Sequence, residues 1–247
     1  MKIKEIYDFL DFAAPFNTAA EWDNCGLSVG SLDADVKKVV IALDVTPEVI
    51  DFALLQKAEL VITHHPLIFH PVKSVESGTL LSKAVKSGIT FISSHTCLDK
   101  AVGGVNDCLA RKVGLKNVAF TDVEFLKIGA TEKCTAEQFA KLLKTALGGS
   151  VRYNDCGRLI EKVGLCSGSG GDMVKEAASL GVDAFLTGDA SYRDFLNAAQ
   201  SGISLFAAGH YETENPVCEY LCNLLGEQFE GVLETVVYDN KSPIITY

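Results

Sequence analysis

No apolar run in this chain of 247 residues approaches the roughly 20 consecutive residues that a membrane-spanning helix requires. Mean hydropathy is only +0.20, so no membrane partner is expected. The opening Met1-Lys2-Ile3-Lys4-Glu5-Ile6 has no continuous apolar stretch of the kind a secretory signal needs, because an acidic residue interrupts it early. A cytoplasmic protein is therefore expected. Basic charge is scarce: 22 Lys and Arg face 32 Asp and Glu, for a net charge of −10. Such a surface repels phosphate backbones, and the densest basic clusters, Lys37-Lys38 and Arg111-Lys112, are short. Nucleic acid is disfavoured as a partner, although a small nucleotide is not, since bound divalent metals supply positive charge locally. Eight cysteines form no Cys-x-x-Cys pair. In a reducing compartment most should be small buried hydrophobes, with Cys218 and Cys222 on the core face of one helix.

Histidine carries the signal that is present. Only five occur. Two close an apolar run, Leu60-Val61-Ile62-Thr63-His64-His65-Pro66, and a third sits in Gly209-His210-Tyr211-Glu212-Thr213-Glu214. Adjacent residues on a strand point to opposite faces, but both imidazoles can converge once the strand gives way to a loop. A His followed four residues later by a carboxylate offers nitrogen and oxygen to one cation.

An internal duplication raises the weight of these residues. Val39 to Asp44, a helix-like stretch from Pro47 to Lys57 and a run ending Thr63-His64-His65 are echoed downstream. The echo runs from Lys162 to Ser167, through a helix-like stretch from Asp172 to Leu180, to a run ending Thr187-Gly188-Asp189. The next strand is repeated too, Ser87 to Ile92 matching Ser201 to Phe206. His95 with Asp99 follows the first copy and His210 with Glu214 the second. Similar α/β segments arise by chance, but a repeated His-x-x-x-acid just past a strand is more specific.

With 48% hydrophobic residues, the chain can bury two modest cores. Helix signals alternate with apolar runs, which favours an α/β class over a sandwich. Ile3 to Ala13 has helical spacing. Thr46 and Pro47 suit an N-cap and first turn. Thr79 to Lys86 should stop at Gly88, and Val105 to Val113 at Gly114. Thr135 and Gln138 suit a capping box for Ala136 to Leu147. Asn215 should cap a helix that Gly226 closes. Two repeats are expected, 1–127 and 128–247. Leu233 to Tyr238 and Pro243 to Tyr247 read as strands added to an existing sheet, with the first domain as the candidate.

Five segments together resemble the Nif-three-like family, often named GTP cyclohydrolase I type 2 homologues. They are Trp22-Asp23-Asn24-Cys25-Gly26-Leu27, Thr63-His64-His65-Pro66-Leu67, and Ser94-His95-Thr96-Cys97-Leu98-Asp99 with Gly103-Gly104-Val105-Asn106-Asp107 behind it. Thr187-Gly188-Asp189 and Gly209 to Glu214 complete the set. The resemblance spans nearly the whole chain. It implies two intertwined, similar α/β domains, a dinuclear metal centre and a toroidal homohexamer. It also implies His64, His65, Asp99, His210 and Glu214 as ligands, with Glu214 the best candidate bridge. Three imidazoles and two carboxylates suit two divalent ions such as Zn, Fe, Mn, Co or Ni better than Ca or Mg. Such a pair, on the order of 3.5 Å apart, could activate a shared water. His95 could be a further ligand, an acid/base group or a donor that orients Asp99. His70 reads as a loop residue.

Cys97 and Arg193 depart from the family pattern, where Asn and His are frequent. Ser167 to Asp172 could hold an anion on its amides or be a tight turn. Trp22-Asp23-Asn24 could line a pocket mouth, and Asp189 could face the site without binding metal. The resemblance implies a metal-dependent hydrolase that opens the guanine ring of GTP. The alternative is a non-catalytic protein that stores, delivers or senses metal.

Overall fold

The computed structural model describes residues 1–245. The chain forms two compact units. The first comprises Met1–Val102 with Val217–Lys241, and the second Gly103–Pro216 with the described residues from Ser242 onward. In chain order the first unit begins with α1 (Ile3–Ala13), β1 (Gly26–Val29), β2 (Lys38–Ala42), α2 (Pro47–Gln56), β3 (Leu60–Thr63), α3 (Leu80–Ser87), β4 (Thr90–Ser93) and α4 (Thr96–Lys100). The second unit carries α5 (Val105–Lys112), β5 (Lys116–Phe120), β6 (Lys127–Cys134), α6 (Ala136–Leu147), β7 (Arg152–Tyr153) and β8 (Ile160–Cys166). It continues with α7 (Val174–Ser179), β9 (Ala184–Thr187), α8 (Tyr192–Ser201), β10 (Ser204–Ala207) and α9 (His210–Glu214). Then α10 (Pro216–Gln228) and β11 (Glu234–Val237) return the chain to the first unit.

The first sheet has the order β1-β4-β3-β2-β11, and the second β5-β6-β8-β9-β10-β7. β3, β4, β9 and β10 are buried at every residue. Parallel strands covered on both faces require this, and it explains why they read as continuous apolar runs. β11 adds in parallel to β2 at the edge of the first sheet. No helix among the described residues is long and apolar enough to cross a membrane.

The duplication is visible in the register. In the first unit Val39 lies beside Leu60 and Leu60 beside Thr90. In the second, Val163 lies beside Ala184 and Ala184 beside Ser204. Counting from these residues makes Asp44 equivalent to Gly168 and His65 to Asp189. It also places His95 opposite Gly209 and Thr96 opposite His210. The two His-x-x-x-acid segments are thus offset by one position, not superposed. His95 is the N-cap of α4, whereas His210 is the first residue of α9.

Local signals account for the helix ends. Thr46 Oγ1 accepts from Val49 N at 3.3 Å, and Thr79 Oγ1 from Ser82 N at 3.2 Å. Thr135 and Gln138 form the reciprocal capping box. Gly88 takes the left-handed conformation that ends α3. Three expectations are corrected. The units divide at Val102/Gly103 rather than at 127/128, because Leu109 and Ala110 of α5 pack into the core around Phe139, Leu165 and Phe206. α10 runs through Gly226 to Gln228, and Asn215 is itself helical (φ −53, ψ −29), so it does not cap that helix. The described part of 243–247 forms no strand, and residues 246 and 247 lie outside the described residues.

The continuous helix at Gly226 has a measurable consequence. A Cβ there would make ordinary contact with Thr235 Oγ1 at 3.5 Å, while alanine in a helix interior is favoured over glycine by about 0.8–1 kcal/mol. Gly226→Ala should therefore raise the urea midpoint. A fall in stability would mean that the helix ends at this glycine.

Candidate metal centre

In the first unit, β2, β3 and β4 end level, and the chemistry-bearing residues follow their carboxyl ends, the usual ligand edge of parallel sheets. His65 N donates to Leu43 O at 3.0 Å and Ser94 N to Thr63 O at 3.0 Å, so the main-chain pairing holds the chain in line just past each strand end. His64 and His65 then converge, their ring centroids 4.9 Å apart, with His95 at 5.1 and 5.4 Å from them. Ligand atoms of all three histidines lie within 4.8 Å of one another. Asp99 joins this cluster from α4, its Oδ1 3.7 Å from His64 Nε2.

Each of these rings is aimed from behind. His64 Nδ1 is 2.9 Å from Ser94 O, His65 Nδ1 2.7 Å from Asp44 Oδ1, and His95 Nδ1 2.9 Å from Asp23 Oδ1. A carbonyl or an ionised carboxylate can only accept, so Nδ1 carries the proton in each ring. Nε2 then bears the ring's lone pair, the atom through which an imidazole can hold a cation.

Asp23 does more than hold His95. Its Oδ2 accepts from Thr96 N at 3.0 Å, from the Thr96 hydroxyl and from Cys25 Sγ at 3.2 Å. It therefore anchors the first turn of α4, which carries Asp99. Burial alone would push its pKa up, but the hydrogen bonds from His95, Thr96 and Cys25 outweigh burial and hold it well below the usual carboxylate range.

The second unit repeats the device with the roles rearranged. Asp189, equivalent to His65, is a carboxylate where the first unit has an imidazole; its Oδ2 lies 2.9 Å from Nδ1 of His210. His210 and Glu214 share one side of α9, with Nε2 and Oε2 3.0 Å apart. With Nδ1–H given to Asp189, a neutral imidazole and an ionised carboxylate face each other as two lone-pair bearers. Only a shared positive species, a proton or a cation, makes that approach favourable.

The loop after β8 lies against this pair. A Cβ at Gly168 (φ +60) would collide with Glu214 Oε1 and come within 3.2 Å of His210 Nε2. Three of the loop amides have side-chain acceptors: Ser167 N donates to Asn106 Oδ1, Gly168 N to Thr213 Oγ1 and Gly170 N to Thr187 Oγ1. At Gly168 the segment is thus a backbone shelf for Glu214 and His210.

A sequence profile of the DUF34/NIF3 family (NGG1p interacting factor 3) matches residues 1–243. The chain belongs to the DUF34/NIF3 family. It is 32% identical to a protein of Clostridium perfringens named GTP cyclohydrolase 1 type 2 homolog, over 96% of each chain. A Campylobacter jejuni protein of the same name is 32% identical over 98% of each chain. Among solved structures, Staphylococcus aureus protein SA1388 superposes with a TM-score of 0.92 at 28% identity, covering 100% of this chain and 99% of that one. The family's mixed α/β architecture with two sheets is therefore shared.

Within this DUF34/NIF3 chain, sequence reasoning placed Asp189 facing the site and Asp23 at a pocket mouth, but missed that Asp23 holds His95 and missed Asp44 behind His65. Asp23 and Asp44 carry no periodic or spacing signal relative to the histidines they hold. Trp22 was a candidate for a pocket mouth; it is exposed and packs against Phe69 and His95, with centroids 5.6 and 5.9 Å away. His70 lies exposed beside Phe69, and Arg193 is exposed on α8.

Two glycine substitutions separate backbone strain from the Glu214 contact. Gly148 also has positive φ but open space around it. An alanine in left-handed backbone costs on the order of 1–3 kcal/mol, and Gly148→Ala should show only that. Gly168→Ala should cost clearly more in chemical denaturation. Equal losses would show that Gly168 does not support the Glu214 side chain.

Proposed function

We propose that the chain binds two divalent metal ions and uses them as a metal-dependent hydrolase of a small nucleotide. The proposed donors are His64, His65 and Asp99 with His210 and Glu214. The reaction class is ring opening of the GTP cyclohydrolase I type 2 kind. The observation that carries the metal reading is the uniform aim of the imidazoles: every proposed histidine donor has Nδ1 against an oxygen acceptor, which presets Nε2 for a cation. The close approach of His210 Nε2 to Glu214 Oε2 supports the same reading. The mixed nitrogen and oxygen donor set fits Zn, Fe, Mn, Co or Ni. The nucleotide reading is supported by the names that the Clostridium and Campylobacter relatives carry.

When bound, such ions polarise a substrate oxygen and lower the pKa of water. The chain's own residues supply the rest. His95, backed by Asp23, can take a proton at Nε2 and return it to a leaving nitrogen. The exposed faces of Trp22 and Phe69 beside His95 suit a planar ring.

Metal analysis of the purified protein should give two ions per chain. Glu214→Gln should weaken both, since a neutral amide bridges cations poorly; unchanged affinity for both would remove Glu214 from a bridging role. A nucleotide panel incubated with the metal-loaded protein then tests catalysis. Turnover abolished by His64→Ala supports the hydrolase. Metal transfer to an acceptor protein with no turnover supports the non-catalytic alternative, a metal-delivery or regulatory protein.

The proposed assembly is a toroidal homohexamer. Phe12, Leu55 and Val102 stand exposed on the first unit, apolar surface of the kind that subunit contacts cover. Light scattering at micromolar concentration should report six chains, and a monomer mass that persists with metal bound would refute the ring.

A further inference from the structure

Two of the eight cysteines, separated by 72 residues in sequence, meet beside the Asp23–His95 pair. Cys25 precedes β1 and Cys97 lies in the first turn of α4; their sulfurs are 3.4 Å apart. Neighbouring polar groups hold both in place. His95 N donates to Cys25 Sγ at 3.3 Å, and Cys25 Sγ lies 3.2 Å from Asp23 Oδ2. Cys97 Sγ lies 3.4 Å from Ser94 Oγ. Cys25 is half-buried and Cys97 buried, so a reagent meets Cys25 first. A disulfide needs its sulfurs at about 2.05 Å, an approach of about 1.4 Å that small side-chain rotations of Cys25 in its loop and Cys97 in its helical turn can supply.

We propose that Cys25 and Cys97 are a modification site: a dithiol that a low-molecular-weight disulfide oxidises reversibly to an intramolecular disulfide. The step balances as two exchanges. Cys25 attacks one sulfur of the small disulfide, forming a mixed disulfide, and the departing thiolate takes up the proton that Cys25 gives up. Cys97 then attacks the Cys25 sulfur, and the second small thiol leaves with the proton from Cys97. The two cysteine sulfurs are oxidised by two electrons in total and one small disulfide is reduced to two thiols. Closing the bond removes the Cys25 S–H from Asp23, and so one of the donors that hold this carboxylate against His95.

The test is a disulfide map of the full-length protein. Reduced protein is incubated with oxidised glutathione, its remaining thiols are alkylated, and the non-reduced digest is read by tandem mass spectrometry. The expected result is one peptide pair joined through Cys25 and Cys97, lost again on treatment with dithiothreitol. In Cys97→Ser, Cys25 should instead accumulate as a stable mixed disulfide with one glutathione. Recovery of Cys25 and Cys97 from the wild-type protein as two alkylated thiols, as two separate mixed disulfides, or joined to other cysteines would overturn the proposal. The wild-type map does not depend on how the variant folds. It needs no metal, so its failure is distinct from failure of the metal-binding reading.

Discussion

The site depends on one repeated interaction, an Nδ1–H donated to an oxygen that can only accept. Ser94 O serves His64, Asp44 serves His65, Asp23 serves His95 and Asp189 serves His210. A histidine without such a partner interconverts between tautomers and swings about its side-chain bonds. With it, the ring has one orientation and one basic nitrogen. Three of the four acceptors are carboxylates, which place negative charge behind His65, His95 and His210, an arrangement that in metal sites strengthens an imidazole's hold on a cation. The backbone places these acceptors because Ala42, Thr63 and Ser93 end their strands side by side, as do Cys166, Thr187 and Ala207.

The same three-strand frame holds different chemistry in the two units. Where the first unit has Asp44 behind His65, the second has Gly168 and Asp189 at the equivalent positions. The carboxylate has moved from the end of β2 to the end of β9, and the imidazole from the end of β3 to the start of α9. Gly168 follows from that exchange: with His210 and Glu214 brought in from α9, the equivalent of Asp44 has no room for a side chain. A duplicated frame can therefore diverge in its donors while its hydrogen-bonded skeleton stays fixed, since strand register is set by main-chain atoms and donor identity by side chains.

How much of this was legible in the sequence follows from the range of each interaction. Thr46 and the Thr135–Gln138 box act within one helical turn, and each reads correctly from local sequence. The buried runs of β3, β4, β9 and β10 are legible because both faces are covered, and the turn after Thr63 allowed His64 and His65 to converge. What was not legible joins distant segments. Asp23 reaches His95 across 72 residues and Cys25 reaches Cys97 across the same span; no periodicity encodes either. The unit boundary was misplaced because the first duplicated element ends before α5, whose side chains belong to the second core. Gly226 misled because a helical glycine and a capping glycine look alike in sequence; the helix continues past it to Gln228.

Long-range 1H–15N correlation NMR of the metal-free protein above pH 7.5, with histidines assigned, tests the central claim most directly. It reports which ring nitrogen carries the proton. The account predicts the Nδ1–H form for His64, His65, His95 and His210, and averaged tautomers for the exposed His70. Finding Nε2–H at His64 or His65, or averaging at all four, would contradict the claim that the fold presets these nitrogens for a cation.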